Sequence, residues 1–297
     1  RWACLPLAFC FYHMKKTIAD GKVTVKGKAL PFQTKFEQAV AMFSKIAETF
    51  SGIPILVITD SWFGNNGLFK PLRNTIGLHC HMLSRLRVNT NLFASPPKRR
   101  RQQRGRTKKY GPKIGNASTL ATEFLKLAIT YSVNLYGKQR DVLAFDRTVM
   151  LKTLKCTVRV VWIYRKSQWV TLFSTDLDLS VEQIIEYYGA RWKIESGFKE
   201  IKQEIGSAKS QNRNPHSVTN HLNFCMMAAT IIWLYADHLE QAPKRCYAVN
   251  NRQHFAFSDA RKLITQAALD KDFLTLCHKS PKPTQNPFIS ALLRLVA

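Results

Sequence analysis

Hydrophobic positions alternate between strand-like and helix-like spacing in the first third of the chain. Residues 5–13 form a mostly apolar run that predicts a buried strand, and residues 22–26 alternate as in a short polar strand. Apolar residues between 32 and 50 recur at helical spacing. Residues 53–59 are apolar and largely β-branched, which predicts a central strand buried on both faces, and this strand ends on Asp60. The strand–helix–strand order favours an α/β sheet, with chemistry at the carboxyl ends of its strands.

The middle of the chain has β-type patterns, whereas the last third is helical. Strand patterns cover residues 84–93, 142–145, 157–164 and 169–173. Helical patterns cover residues 180–205, 217–239, about 260–268 and the chain from about 287. The β-type region therefore reads as an insertion in an α/β domain that ends in a helical tail.

The charge balance of the chain is strongly positive. Lys and Arg number 45 against 19 Asp and Glu, a formal net charge of +26. Self-repulsion of this size destabilises a compact protein unless a polyanion is near, so nucleic acid becomes the leading partner. Apolar residues make up 45% of the chain, enough for one or two cores. The longest apolar run, residues 224–236, is shorter than the about 20 residues that cross a bilayer, so we expect no membrane span.

The cysteine spacing and the lack of two common enzyme motifs exclude several kinds of site. The seven cysteines are scattered without Cys-x2-Cys spacing, which is typical of a reducing compartment rather than of a disulfide framework or a zinc ribbon. His79-Cys80-His81 could hold a metal, but without a second pair nearby we favour an ordinary strand end. The chain has no Gly-rich phosphate loop and no Ser-His-Asp arrangement, so nucleotide hydrolysis and acyl transfer have no support.

A basic tract occupies residues 96–114. Nine of the 16 residues from 98 to 113 are Lys or Arg, and such a stretch repels itself and cannot fold alone. It is either a solvated loop or a loop that contacts DNA, and the net charge favours DNA. Arg-Gly-Arg within it suits a minor groove. The predicted DNA contacts are Arg99, Arg100, Arg101, Arg104 and Arg106.

One edge of the predicted helix 180–205 carries the most informative residues. At about 100° per residue, Tyr188, Arg191, Glu195 and Lys202 share a narrow stripe. Beside it an apolar stripe of Ile194, Phe198, Ile201 and Ile205 is expected to pack against a sheet. The plain alternative is a solvated charged face. Carboxylates that hold divalent metals, with cations beside them to hold phosphates, are what phosphoryl transfer needs.

These residues resemble a known family. Tyr188-x2-Arg191-x3-Glu195-x6-Lys202 is similar to the Tyr-Arg-Glu-Lys signature of one branch of bacterial insertion-sequence DDE transposases. Asp60 stands where the family has its second catalytic aspartate. The 135 residues between Asp60 and Glu195 suit the branch with a β-rich insertion between those carboxylates.

The resemblance implies a fold, an activity and a set of roles. The fold is a ribonuclease-H-like mixed α/β sheet with flanking helices, interrupted by a β-rich insertion. The activity is cleavage of transposon ends and strand transfer into target DNA. Asp60 and Glu195 would be catalytic ligands of a two-metal Mg²⁺ or Mn²⁺ site, and Tyr188, Arg191 and Lys202 would contact phosphates. Double-stranded DNA, a homodimeric synaptic complex and a cytoplasmic, nucleoid-associated location follow from the same resemblance.

One expected ligand is not in this sequence. The family's first aspartate would lie upstream of Arg1, so we expect an N-terminally truncated chain whose metal site that residue would complete. Asp20 sits in a polar stretch beside Gly21 and is better explained as a turn residue. The alternative function is therefore a catalytically inactive truncated remnant that only binds DNA.

The patterns and the resemblance together predict four segments. Residues 1–82 are the first part of the catalytic domain, lacking its first strand, and 83–179 are the insertion with its basic loop. Residues 180–240 are the second part of the catalytic domain, and 241–297 are a helical C-terminal region. Trp62, just after Asp60, could stack an unpaired base near the cut, although such aromatics more often pack in a core.

Overall fold

The chain divides into two compact units. The computed structural model describes residues 3–18, 22–25, 28–98, 105–166, 168–246 and 254–269. The sheet unit is Gln33–Trp192, and the helical unit is Arg1–Phe32 with Lys193–Ala297. The described strands are β1 (Lys22–Val25), β2 (Lys28–Pro31), β3 (Ile55–Thr59), β4 (Cys80–Arg85), β5 (Asn91–Phe93), β6 (Lys113–Asn116), β7 (Ile129–Leu135), β8 (Lys138–Leu151), β9 (Cys156–Arg165) and β10 (Gln168–Ser174). The described α-helices are α1 (Lys35–Thr49), α2 (Asn66–Ile76), α3 (Ala117–Phe124), α4 (Val181–Ala190), α5 (Lys193–Lys199), α6 (Pro215–His238) and α7 (Phe257–Leu269).

An eight-stranded mixed sheet forms the sheet unit. Its strand order is β3-β4-β10-β9-β8-β5-β6, with β7 also paired to β8. β3 and β4 run parallel, and the other described pairs are antiparallel. This mixed sheet with flanking helices confirms the predicted α/β class and is consistent with a ribonuclease-H-like fold. The β-rich middle of the chain does not build a sheet of its own, because its strands extend the sheet that β3 and β4 begin.

Both faces of this sheet are covered. Val57, Met82 and Trp162 point into a core shared with α1, α2 and α3, whereas their neighbours in sequence point into a second core with α4. The alternation follows from the period of two along each strand. It explains why the run at β3 is apolar without interruption, since both faces of a covered strand are buried.

Two helices begin on caps that the sequence encodes. Thr34 and Glu37 form a reciprocal capping box at the start of α1, and Ser180 does the same with Gln183 at the start of α4. The Oδ1 of Asn65 accepts from the backbone N–H of Gly67 at 2.8 Å and caps α2, a helix that the sequence patterns did not predict.

Three sequence-based expectations about elements are wrong. The predicted strand 84–93 is divided, because β4 ends at Arg85 and β5 begins only at Asn91. Residues 3–14, all described, contain no strand, and Phe11 and Tyr12 are 45% and 42% exposed. An apolar run becomes a strand only where a partner strand supplies hydrogen bonds, and among the described residues none pairs with this segment. The predicted helix 180–205 is interrupted: α4 ends at Ala190, α5 begins at Lys193, and Glu200–Ile205 is a π-helix.

The interruption follows Gly189 in sequence. Glycine has low helix propensity, and a Cβ at this position would lie 2.6 Å from Leu135 Cδ2, so glycine favours close packing of α4 against β7. The last turn then tightens, since the N–H groups of Arg191 and Trp192 donate to the carbonyls three residues before them, at 3.2 and 3.3 Å.

Helices α6 and α7 form the core of the helical unit. Ala229, Ile232 and Trp233 of α6 pack against Phe257 and Ala260 of α7. The predicted helices 217–239 and 260–268 correspond to α6 and α7. The predicted helix from about 287 lies outside the described residues. None of the described helices has the length and apolar character needed to cross a membrane.

Candidate active site

Asp60 lies directly after β3, at the carboxyl end of the parallel pair. Its Oδ1 accepts hydrogen bonds from the backbone N–H groups of Trp62 at 3.0 Å and Phe63 at 3.1 Å. The side chain is exposed, and no hydrogen bond from a described residue reaches its Oδ2. One carboxylate oxygen therefore fixes the loop while the other faces outward.

The backbone of Asp60 is clamped by the neighbouring strand. The hydroxyl of Ser84, on β4, donates to the carbonyl oxygen of Asp60 at 2.7 Å, and Gly64 N–H donates to the same oxygen at 3.1 Å. A Cβ on Gly64 would lie 2.3 Å from Ser84 Oγ and 2.7 Å from Ser84 Cβ. Only glycine permits this approach, so Gly64 keeps the loop that carries Asp60 close to Ser84 of β4.

Gly64→Ala is expected to displace this loop. The clash is with Ser84, which is fully buried and cannot move cheaply, so the free energy of unfolding should fall by about 1–3 kcal/mol. Urea unfolding followed by circular dichroism measures the change. Adding Ser84→Gly removes the clashing atoms and should restore part of the loss. No recovery in the double variant would contradict this account.

Trp62 is built into an aromatic group beside Asp60. Its ring stacks on Phe36 with centroids 4.9 Å apart and an interplanar angle of 5°, and Phe63 contacts it edge-on at 4.7 Å. The Nζ of Lys35 lies 5.5 Å from the ring centre. Trp62 remains 45% exposed. The predicted stacking of a base on Trp62 stays a prediction, with one ring face already taken by Phe36.

Tyr188 and Arg191, at the end of α4, share the surroundings of Asp60. Arg191 and Tyr188 are joined by a side-chain hydrogen bond, and the guanidinium carbon lies 5.8 Å from the Tyr188 ring centre. Burial raises the pKa of the Tyr188 phenol, the charges of Arg191 and Arg85 oppose the rise, and Asp60 adds to it. The phenol is therefore protonated at neutral pH and can donate. Within the sheet unit, the charges of Asp60 and Arg191 therefore both act on the Tyr188 phenol.

Arg85 is a cation of this site that the sequence patterns missed. It ends β4, one residue after Ser84, which pairs with Thr59 in the parallel register. Its charge acts on Tyr188, and its side chain is exposed. An arginine at the end of a strand beside β3 is well placed to bind an anion. Nothing in the sequence, however, reveals that β4 lies beside β3.

Glu195 and Lys202 belong to the helical unit. Glu195 is exposed in the first turn of α5, and Lys202 is exposed in the π-helix, where its Nζ lies 5.7 Å from the Phe198 ring centre. The four-residue stripe assumed one regular helix, so its angles do not apply across the break and the π-helix. The apolar stripe is also wrong in part, since Ile194 and Phe198 are 44% and 58% exposed. The pairing of Asp60 with Glu195 stays a prediction.

A second carboxylate of the helical unit is more buried. Glu200 Oε2 accepts from the indole N–H of Trp233 at 3.0 Å. Burial raises the pKa of Glu200, and the charge of Glu204 raises it further, against the opposing effects of Trp233 and Lys193. The charged form is therefore disfavoured in the folded unit.

Glu200→Gln is expected to stabilise the helical unit near pH 7. Because the folded pKa lies above its ordinary value of 4.5, wild-type stability falls as the pH rises through the interval between them. Gln keeps an oxygen for Trp233 without that titration. Thermal unfolding from pH 4 to 8 should show a smaller fall in Tm for the variant, and its Tm near pH 7 should exceed that of wild type.

The control for this change is Glu240→Gln. Glu240 is an exposed carboxylate of the helical unit, and its charge is not among the causes that shift the pKa of Glu200. The wild-type pH profile should survive in that variant. If the dependence of Tm on pH is the same in Glu200→Gln as in wild type, ionisation of Glu200 does not lower the stability of the folded unit.

Metal ligands are incomplete in the described residues. No three His, Cys, Asp or Glu side chains among them converge on a possible ion, and this includes His79-Cys80-His81. The outward Oδ2 of Asp60 is a ligand suited to a hard divalent cation, but one carboxylate is not a site. The described residues therefore do not fit a complete metal centre by themselves.

Part of the predicted DNA surface falls on described residues. Arg106 is described and exposed, as are Lys108 and Lys109. Arg99, Arg100, Arg101 and Arg104 lie outside the described residues, as does Asp20.

Comparison with known proteins identifies the family. No curated protein matches the chain. A sequence profile described as the transposase DDE domain matches residues 35–231, about two thirds of the chain. The match begins at α1 and spans both Asp60 and the segment from Tyr188 to Lys202. The chain belongs to the transposase DDE domain family.

Proposed function

We propose that this DDE transposase cleaves transposon ends and transfers the cut strands into target DNA. The observation that supports the proposal is that the charges of Asp60, Arg191 and Arg85 all act on the phenol of Tyr188. Asp60 follows β3, whereas Tyr188 and Arg191 lie at the end of α4. A carboxylate beside a phenol and a guanidinium suits a phosphodiester whose charge must be held.

The roles that we propose follow from the chemistry of each side chain. Arg191 and Arg85 neutralise phosphate oxygens, and the protonated phenol of Tyr188 donates a hydrogen bond to one. Lys202 contacts the transposon end from the helical unit. Because the spacing of these residues matches it, we assign the chain to the branch with the Tyr-x2-Arg-x3-Glu-x6-Lys signature.

Asp60 and Glu195 are the catalytic carboxylates in this proposal. DDE transposases normally use a divalent metal, Mg²⁺ or Mn²⁺ here, which activates a nucleophile and stabilises a leaving oxygen. Oδ2 of Asp60 is available to it, because Oδ1 already accepts two backbone hydrogen bonds. Glu195 and the family's first aspartate would supply further oxygens.

Double-stranded DNA is the proposed partner, both as transposon end and as target. The net charge of +26 supports a polyanion, and the basic tract with Arg99, Arg100, Arg101, Arg104 and Arg106 is the proposed backbone contact. Trp62 is the proposed platform for an unpaired base. We propose a homodimer on DNA and association with the bacterial nucleoid.

Metal-dependent nicking of a supercoiled plasmid tests the proposal. The chain is incubated with plasmid in Mg²⁺, in Mn²⁺ and in EDTA, and binding to a labelled duplex is measured in parallel. Nicking that needs the metal supports the transposase activity. Binding without nicking supports the inactive remnant instead. If the chain neither binds DNA nor nicks it, the proposed function is overturned.

A further inference from the structure

The two ends of the loop that contains the basic tract lie side by side at the edge of β5 and β6. The backbone N–H of Ala94 donates to Pro112 O at 2.9 Å, and Gly111 N–H donates to Ala94 O at 3.0 Å. A Cβ on Gly111 would lie 2.4 Å from Ser95 O, so the close approach of the two ends requires glycine. The loop between β5 and β6 is therefore closed at its base.

A cavity of about 340 Å³ lies beside this base. It is lined by Lys109, Tyr110, Met150 and Lys155. Lys152 adjoins it, with Nζ 3.9 Å from the ring centre of Phe93 and 5.4 Å from that of Tyr110. Phe93 and Met150 are partners in the β5–β8 register, which brings the loop base and the β8–β9 turn together. Two lysines thus line the cavity, and a third lies over the ring of one of its lining residues, Tyr110.

The two sequence segments that form the cavity contain no acidic residue to balance its lysines. Neither residues 94–116 nor residues 147–157 contain an acidic residue. Lysines gathered in this way repel each other unless an anion is near. The β8–β9 turn and the loop base therefore favour a negatively charged ligand.

The backbone of Lys155 supports a role for its side chain. Lys155 has a φ of 59°, in the left-handed region, and its N–H donates to Leu151 O at 2.8 Å. Glycine adopts this conformation without the cost that a lysine incurs. A side chain kept at such a position points to a function rather than to the turn itself.

We propose that this cavity binds a backbone phosphate of duplex DNA, held by Lys109, Lys152 and Lys155. The inference rests on the proposed action of the chain on DNA. β8 is the fourth strand along the sheet from β3, so the cavity is separate from Asp60. A stacked base fits less well, because Lys152 already occupies a face of Phe93. A DNA backbone fits better than a free phosphate, since the adjoining tract can follow a polyanion.

Salt-dependent DNA binding tests the cavity. Affinity for a duplex of about 30 base pairs is measured by fluorescence anisotropy between 50 and 200 mM NaCl. Lys152→Gln with Lys155→Gln should flatten the log-affinity slope by about 0.9, and by no more, because both lysines serve one phosphate. Affinity near 0.1 M salt should fall about five- to tenfold. Lys126→Gln with Lys138→Gln removes the same charge from exposed positions and should leave the slope unchanged.

A second variant separates function from stability. Lys155→Gly relieves the left-handed backbone, so Tm should rise by about 2–4 °C while DNA affinity falls. Lys166→Gly, at a φ of 47°, is the matched control for the rise in Tm. A gain in stability together with a loss of affinity cannot come from misfolding.

The outcomes are distinct. An unchanged slope in the cavity variants, with steep wild-type binding, overturns the cavity and leaves the proposed function standing. A wild-type chain that does not bind DNA overturns both. If inorganic phosphate at constant ionic strength abolishes the difference between wild type and variant, it competes with DNA for the same lysines, which supports the cavity as a phosphate site.

Discussion

Asp60→Asn, in a chain extended upstream to supply the family's first aspartate, is expected to lower metal-dependent nicking by about 10³-fold, with DNA binding retained. A metal held at this carboxylate would supply several kcal/mol of charge stabilisation, and about 4 kcal/mol corresponds to this factor. Asn keeps the Oδ1 that accepts from Trp62 and Phe63, so the loop should hold its shape. Plasmid nicking at saturating DNA measures the loss, and thermal unfolding checks the fold.

The matched control for this change is Asp141→Asn. Asp141 is an exposed carboxylate of β8, paired with Ser132 on β7, and the same neutralisation there should leave nicking unchanged. If Asp60→Asn nicks as fast as wild type, another carboxylate performs the proposed role. If it instead lowers Tm by several degrees, Asp60 acts through the loop.

Replacing four arginines of the basic tract by Gln is expected to have the largest effect on DNA binding. Removing one arginine–phosphate interaction should flatten the log-affinity slope against log salt by about 0.9. If Arg99, Arg100, Arg101 and Arg104 all bind phosphates, the slope falls by about 3.6 and affinity near 0.1 M salt by more than about 10³-fold. Anisotropy titrations over a range of salt concentrations measure both quantities.

Charge-preserving variants of the same arginines separate two kinds of interaction with DNA. Arg→Lys at all four positions keeps the charge and should keep the slope. It should weaken any preference for A·T-rich duplexes, because Arg is the better side chain for a narrow minor groove. A solvated loop that does not touch DNA would leave the slope unchanged in the Gln variant.

Local signals in the sequence predicted the part of the site that short-range chemistry determines. The uninterrupted apolar run before Asp60 predicted β3 and the aspartate at its end, and the helical spacing of apolar residues between 32 and 50 predicted α1. Helix α2 was missed because Gly64 and Asn65 read as a loop, although Asn65 is its cap.

Long-range contacts explain the remaining differences. Arg85 lies near Asp60 only because β4 pairs with β3, and no local sequence pattern indicates that pairing. The helix that carries the signature is interrupted just after Gly189, which lies against Leu135, a residue more than fifty positions earlier. A periodicity argument assumes a regular helix and cannot detect a contact of this kind.

The edge position of the β3–β4 pair has a consequence for synthesis of the chain. Within the described sheet, this pair meets the other strands only through β10, and Met82 N–H donates to Thr175 Oγ1 across 93 residues of sequence. At about 5–20 residues per second, a ribosome needs roughly 5–20 s to make that interval. Until then β4 presents an unpaired apolar edge, which is prone to aggregation. Candidate catalytic geometry is thus completed late, and slow translation after residue 85 would lengthen the time for which the nascent chain needs a chaperone.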